Sequence, residues 1–414
     1  MPVAWMPHFC RKAAACSEAL FQPRRRALAA TAAFALAVAW PALAQQKQEG
    51  GFQATVPHAI LIEARSGSVL FEHNADDLVF PASLAKLMTA DVVFDQLKSG
   101  KITMEDLAVV SEHAWRTGGA PSHTSSMFAA INSKVPVGDL LRGLIVESGN
   151  DAAIALAEAL AGSESAFGVM MTKHAREIGL AKSVFTNPTG LPTPDTKVTA
   201  RELGKLARHI ILTYPEYYKI FGERDYTWNK IHQYNRNPLL AWGADGLKTG
   251  YTKESGYGIV GSAEQNGLRL IVVVMGAKSE KERADEARKL LEWGFRSFES
   301  RVLFAEGQTV GAAKVFGGEK SYVPLIGPGP ISLMVPRNAN ERIVARVTYH
   351  GPIPAPVKEG QPVGELRVWR GETLALEVPL HTAEAVDQGT LSQRAVDAVT
   401  ESMITLFRAG AERL

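Results

Sequence analysis

The spacing of hydrophobic positions changes several times along this chain, and each change marks an element. His58 to Glu63 and Val69 to His73 are apolar-rich runs on either side of Arg65-Ser66-Gly67, which predicts a β-hairpin. From Ala82 onward, Leu84, Leu87, Met88, Val92 and Val93 step at helical spacing, and residues 138–162 and 164–179 read as helical too. Thr199 with Glu202 three positions later is a capping-box pattern opening a helix over 200–212. Tyr257–Ala263 and Leu268–Met275 flank Asn266-Gly267, the strongest short hairpin signal in the chain. Ser279 with Glu282 then caps a helix carrying Leu290, Leu291, Trp293 and Phe295. Outer strands, a helical middle and a closing helix predict an α/β sandwich built on an antiparallel sheet, over residues 54–300.

The pattern changes near residue 300. Ile331–Val335, Ile343–Tyr349, Gly364–Trp369 and Thr373–Val378 are short β-like runs broken by Gly and Pro. They predict a small all-β domain over 301–382, without a catalytic constellation. The tail, 391–414, is helical in pattern. Val396, Val399, Met403 and Leu406 or Phe407 form one apolar face, opposite Arg394, Asp397, Glu401 and Arg408. That face fits peripheral membrane contact through residues 392–414, or docking on the protein's own surface.

Composition adds the compartment. The 414 residues hold 45 Lys plus Arg and 43 Asp plus Glu, with no concentrated basic face, so a nucleic-acid partner is not expected. Arg24-Arg25-Arg26 precede an uncharged run from Ala27 to Ala44 that closes in Pro41-Ala42-Leu43-Ala44. This predicts a signal peptide over 1–44 and an exported protein. The leader carries five basic residues and one acid, so the remainder has 40 basic and 42 acidic residues. Both cysteines, Cys10 and Cys16, fall in the leader as well. Cleavage would leave a chain without disulfide, thiol catalysis or thiolate metal ligands.

Three short motifs carry candidate chemistry. Ser83-Leu84-Ala85-Lys86 starts the first predicted helix, and a spacing of three puts Ser83 and Lys86 on one face, where a deprotonated amine can serve as base to the hydroxyl. Ser148-Gly149-Asn150 follows an apolar stretch, and its glycine breaks a helix so that a hydroxyl and an amide can be aimed into a cleft. Lys248-Thr249-Gly250 precedes the Asn-Gly hairpin and suits recognition of a carboxylate at a strand edge. Taken singly, each motif is as well explained by a turn or a solvated lysine. Their order and spacing, 65 and then 100 residues, change that.

Ser-x-x-Lys, Ser-x-Asn and Lys-Thr-Gly in this order resemble the penicillin-interacting serine enzymes. The surrounding text, Pro81 to Thr89, Glu147 to Ala152 and Asp245 to Thr252, is similar to the low-molecular-mass penicillin-binding proteins, the serine D-alanyl-D-alanine carboxypeptidases. The resemblance implies a penicillin-binding-protein/serine β-lactamase-like sandwich followed by a small β domain and an amphipathic helix. It implies a substrate, the peptidoglycan pentapeptide ending in D-Ala-D-Ala, β-lactam antibiotics as inhibitors, and neither metal nor cofactor. Ser83 would be the nucleophile and Lys86 its general base. Ser148 would relay a proton to the leaving amine, and Asn150 would hold Lys86 and the substrate amide. Lys248, Thr249 and Gly250 would bind the substrate carboxylate, with the N–H groups of Ser83 and Tyr251 as oxyanion hole. Tyr251 stands where some relatives carry His, which implies an altered rate or preference.

Rival readings meet specific residues. Class A β-lactamases place a Glu, with an Asn four residues later, between the second and third motifs, but Asn187 to Asp195 contains no Glu. Gly149 also replaces their usual Asp. A D,D-endopeptidase shares the motifs but usually lacks the extra β domain. A non-catalytic sensor would not be expected to keep Ser83, Lys86 and Lys248. A metallopeptidase finds no His-x-x-x-His pair, and His174 and His209 read as packing or surface residues. Trp115, Trp228, Trp242 and Trp293 read as core. The Gly-, Ser- and Thr-rich stretch Arg116 to Ser126 reads as a loop over the cleft, with Ser125 and Ser126 as candidates there.

Overall fold

A computed structural model describes residues 52–337 and 342–411, with residues 404–411 described as backbone only. The predicted leader, with Cys10 and Cys16, lies outside the described residues, as do the side chains of Leu406, Phe407 and Arg408.

Strands β1 (His58–Glu63) and β2 (Val69–His73) form the first hairpin. The helical middle contains α1 (Lys86–Lys98), α2 (Glu112–Gly118), α3 (Val137–Ile145), α4 (Asn150–Ala161), α5 (Glu164–Glu177), α6 (Ala200–Thr213) and the single turn α7 (Pro215–Tyr218). Two ribbons are set into it, β3 (Leu107–Val109) with β4 (Lys134–Pro136), and β5 (Asp225–Trp228) with β6 (Ile231–Tyr234). The chain then returns through β7 (Gly246–Thr252), β8 (Gly256–Gln265) and β9 (Leu268–Ala277) before α8 (Glu280–Ser297). The sheet order is β2-β1-β9-β8-β7, antiparallel throughout.

This sheet is covered on both faces, which explains the unbroken apolar run of β9. Leu270, Val272 and Val274 join Ala59, Leu61, Ala287, Leu290 and Leu291 under α8. Their neighbours Ile271, Val273 and Met275 join Ile60, Ile62 and the helical cluster on the other side. Alternate residues therefore feed two cores. Gly294 permits the close approach of α8, because a Cβ there would lie 2.6 Å from Leu61 Cδ2 and 2.7 Å from Leu270 Cδ1. The hairpin between β8 and β9 turns on Asn266 (φ 53°) and Gly267 (φ 75°), the left-handed pair that Asn-Gly favours.

Both capping patterns form, with a twist at α6. Thr199 accepts a hydrogen bond from Glu202 N, but the Glu202 carboxylate turns away to accept from Lys182 N and Ser183 N. It anchors a neighbouring loop instead of closing the reciprocal half of the box. The tryptophans singled out above are half-buried, Trp115 and Trp228 against the helical core, Trp242 and Trp293 against the α8 core.

Beyond α8 the chain is β-rich. β10 (Phe298–Phe304) pairs with β13 (Ile331–Pro336). β11 (Gly311–Phe316), β12 (Tyr322–Ile326), β14 (Ile343–Tyr349), β15 (Ile353–Pro354), β16 (Pro362–Arg370) and β17 (Thr373–Thr382) make a second sheet in the order β14-β16-β17-β12-β11-β15. Its core is built from Val315, Val323, Leu325, Leu333, Leu366, Val368 and Leu376 among others. Arg370 crosses back to the first sheet, donating to Leu70 O at 2.8 Å and Met334 O at 3.1 Å. The tail forms α9 (Leu391–Ala411). It touches the β region through its polar face: Asp397 Oδ2 accepts from Gly317 N at 2.8 Å, and Glu401 pairs with Lys314. Val396, Val399 and Met403 stay exposed, so the described part of the apolar row does not dock on the protein.

Candidate active site

Ser83 stands in a short 3-10 turn (Ala82–Ala85) that runs directly into α1 at Lys86. Ala82 takes φ 47°, a left-handed conformation that side-chain-bearing residues avoid at a cost of about 1–3 kcal/mol. The turn is wedged from two sides. A Cβ on Gly190 would lie 1.9 Å from Ala82 O, and one on Gly250 would lie 3.1 Å from Ser83 N. Gly190, at φ 77°, therefore admits only glycine, and a side chain at Gly250 would press on the turn, so the 188–190 segment and strand β7 both come close against it.

Lys86 lies one helical turn beyond Ser83 and is 1% exposed. Its Nζ has three partners: Asn150 Oδ1 at 2.7 Å, Thr189 O at 2.8 Å and Ser83 Oγ at 3.1 Å. Burial, with the positive charge of Arg236 nearby, lowers its amine to about 7. Two of the partners are carbonyl oxygens that can only accept, so a neutral amine satisfies both with its two N–H groups. Its lone pair then faces the one partner able to donate, the Ser83 hydroxyl.

The second motif sits where the helical pattern over 138–162 divides. α3 ends at Ile145 and α4 begins at Asn150, and between them Ser148 has φ 61°. A Cβ on Gly149 would meet Met127 N and Asp151 Oδ1, each at 2.9 Å. Asn150 Nδ2 donates to Thr124 Oγ1 at 2.9 Å, which fixes the amide so that its oxygen faces Lys86.

The third motif lies on β7, at one edge of the sheet. Lys248 is buried and donates to Ser148 Oγ at 2.9 Å and Thr249 O at 3.2 Å. Burial first, then the charges of Lys86 and Arg236, hold its amine well below the usual lysine range. Thr249 is 6% exposed, whereas Tyr251 is half exposed and stacks on Tyr257 with ring centres 4.2 Å apart. Ser83, Lys86, Ser148, Asn150, Lys248, Thr249 and Gly250 thus converge from three separate stretches. Of the hydroxyl and amine groups among them, only Ser83 is more than marginally open to solvent.

Several residues at the site had no motif to announce them. Asp151 is fully buried and accepts from Ser126 Oγ at 2.8 Å, Met127 N at 2.9 Å and Ala129 N at 3.1 Å. It therefore fixes the loop predicted to cover the cleft; its place directly after Asn150 was the available signal. Arg236, on the loop after β6, donates to Ser125 Oγ at 2.5 Å. Glu147 is fully buried with no hydrogen bond to either carboxylate oxygen, and burial beside Asp151 raises it to about 8. Thr189 contributes only its carbonyl, which no side-chain pattern can reveal.

A family model described as D-alanyl-D-alanine carboxypeptidase matches residues 44–279, and one described as the C-terminal domain of penicillin-binding protein 5 matches 298–388. The chain is 39% identical over 380 residues to the D-alanyl-D-alanine carboxypeptidase DacC of Escherichia coli K12, covering 90% of this chain and 95% of that one. Among solved structures it resembles penicillin-binding protein 5 of Haemophilus influenzae, with TM-score 0.68 and 37% identity over 82% of this chain and 99% of that one. It also resembles penicillin-binding protein D2 of Listeria monocytogenes in its ampicillin-bound form, with TM-score 0.52 and 29% identity over 59% of this chain and 99% of that one.

Proposed function

The chain belongs to the D-alanyl-D-alanine carboxypeptidase family, and from that premise we propose how its residues carry the reaction. The protein is a serine hydrolase that removes the terminal D-alanine from peptidoglycan pentapeptides through an acyl-enzyme, and penicillin acylates the same nucleophile.

Lys86, whose amine is lowered to about 7 and is neutral in a large fraction of molecules at that pH, takes the proton of Ser83 as Oγ attacks the carbonyl of the D-Ala-D-Ala bond. The oxyanion forms against the N–H groups of Ser83 and Tyr251; one such donor is worth about 3 kcal/mol in a well-studied hydrolase. Ser148, bridged to Lys248, relays to the leaving amine the proton that Lys86 took up, which returns Lys86 to its neutral form, while Lys248 and Thr249 hold the substrate's terminal carboxylate. Water then hydrolyses the acyl-enzyme with Lys86 again as base. The three-partner environment of Lys86 Nζ carries this reading, because it satisfies both N–H groups of a neutral amine and leaves the lone pair on Ser83.

The decisive experiment incubates the protein and its Ser83→Ala variant with labelled penicillin and with a peptide ending in D-Ala-D-Ala. The unmodified protein should take up label and release D-alanine while hydrolysing penicillin slowly. The variant should do neither with an unchanged circular dichroism spectrum. Label retained by the folded variant would remove Ser83 from the mechanism, and rapid penicillin turnover without D-alanine would make the protein a β-lactamase.

The reading extends to location. An exported protein, released from its leader after Ala44, would meet this substrate outside the cytoplasm. The exposed row Val396, Val399 and Met403 on α9 supports peripheral contact with the outer face of the membrane. Among the described residues no single helix is long and apolar enough to cross a membrane.

A further inference from the structure

Behind the catalytic turn, three helices bring together residues that the sequence spreads over 118 positions. Asp91 lies on α1, five residues past Lys86, and its carboxylate is fully buried. His174 on α5 presents Nε2 to Asp91 Oδ2 at 2.7 Å, and His209 on α6 presents Nε2 to Asp91 Oδ1 at 3.7 Å. One ligand atom from each of the three lies within 4.8 Å of the others. We propose that Asp91, His174 and His209 form a binding site for a divalent transition metal, best suited to zinc, that ties α1 to α5 and α6.

The strongest observation is a pair of polar atoms with nothing between them. Asp91 Oδ1 and His209 Nε2 are both buried, and neither has a hydrogen-bond partner. Unpartnered buried polar atoms are rare, because each forfeits its hydration without compensation. On the other side of the ring, His209 Nδ1 faces the Thr213 hydroxyl at 3.3 Å. In the tautomer that carries its proton on Nδ1, toward the Thr213 hydroxyl, Nε2 directs a lone pair at a carboxylate oxygen, and a cation between the two would satisfy both.

The donor chemistry and spacing agree. Two imidazole nitrogens and a carboxylate are a common zinc set, and ligand atoms around a tetrahedral zinc stand about 3.3 Å apart. His174 Nε2 lies 2.7 Å from Asp91 Oδ2 and His209 Nε2 lies 3.7 Å from Asp91 Oδ1, so each imidazole faces its own oxygen of the one carboxylate. The three ligand atoms lie within 4.8 Å of one another, and side-chain movement on binding would close the triangle, with a fourth position left for water. Outside the three ligand atoms, the Thr213 hydroxyl lies 3.3 Å from His209 Nδ1, and Glu177 Oε2 lies 3.7 Å from His174 Nδ1, beyond hydrogen-bond distance. Access exists from the side. His209 lines a cavity of about 480 Å³ between α6 and β17. Of the basic groups around that cavity, Arg201 pairs with Glu72 and Asp76, Lys205 pairs with Glu377, and Arg208 donates to Ala64 O and Arg65 O.

The metal is assigned a role in holding the helices and none in the chemistry. The test uses the untagged, chelator-treated protein and its His209→Gln variant, chosen because this side chain sits at the cavity wall. Zn2+ titrated by competition with a chromophoric chelator should show one equivalent bound at micromolar affinity or tighter, weakened at least about tenfold in the variant. Saturating Zn2+ should raise Tm by about 5 °C in the unmodified protein only. Co2+ in place of zinc should give the strong visible bands of a tetrahedral N/O site. Equal zinc affinity in the two proteins, or no tight equivalent in the unmodified one, would overturn the assignment. Should the variant lose its helical signal, the Co2+ spectrum of the unmodified protein decides: strong bands support the site, and the weak spectrum of a hexaaqua-like ion rejects it. Penicillin acylation should proceed at the same rate with and without zinc, which keeps this inference separate from the catalytic reading.

Discussion

The catalytic region and the β region that follows it bury their side chains by different rules. Residues before 298 enclose Lys86, Asp91, Glu147, Asp151, Glu202, Lys248 and Glu286 with little or no exposure. Beyond 298, among the described residues, the buried polar side chains are Arg370 and Thr382, and Arg370 reaches out to Leu70 O and Met334 O. Buried charge is costly unless paired or used. Its concentration in one half shows where the molecule trades stability for chemistry, while the other half is held by an ordinary apolar core.

The contrast can be broken first at Lys86. Lys86→Ala should lower the rate of penicillin acylation by about 10³-fold or more, since it removes the proposed general base. Tm should move little, because a desolvated amine leaves with it. A large fall in Tm with acylation preserved would mean that Lys86 is structural. The mirror experiment is Leu366→Ala in the β core. It should destabilise that region by about 2–5 kcal/mol in denaturant unfolding, while the acylation rate at 25 °C stays within about twofold. Strong inhibition of acylation would show that the two halves are coupled through Arg370.

A smaller effect sharpens the comparison through pH. Lys86 has its amine lowered to about 7, so its neutral form is the minor species below that value and the major one above. The second-order rate of acylation should therefore rise about tenfold per pH unit below pH 7 and level off above it. A profile flat from pH 5 to 9 would exclude Lys86 as base. The smallest effect is expected at the exposed row of α9. Changing Val396, Val399 and Met403 to Ser should shift stability by no more than about 0.5 kcal/mol and leave acylation intact. Binding to anionic vesicles should nevertheless fall; unchanged vesicle binding would show that this face is not the membrane contact.

Much of the site was legible because its chemistry is encoded in short, rigid spacings. Ser83 and Lys86 share a helical face through a three-residue offset, and the Ser-Gly pair at 148–149 marks the place where α3 gives way to α4, with Ser148 itself at φ 61°. The Asn266-Gly267 turn and the caps at Thr199 and Ser279 are likewise local, decided by backbone preferences within a few residues. The apolar run of β9 beside the Asn-Gly turn announced a strand, although its burial on both faces became clear only once α8 covered one side and the helical cluster the other.

What the tertiary structure alone decided depends on distance in the chain. Thr189 offers a main-chain carbonyl to Lys86 across 103 residues, and Arg236 reaches Ser125 across 111. Asp91, His174 and His209 meet although their helices carry no shared motif. Sequence determines such elements through local sterics and periodicity, and it names the nucleophile because a hydroxyl and an amine three residues apart need only one helix. The environment that lowers Lys86, and the gap between Asp91 and His209, are sums over desolvation and charge from segments that meet only on folding. No local pattern contains those sums.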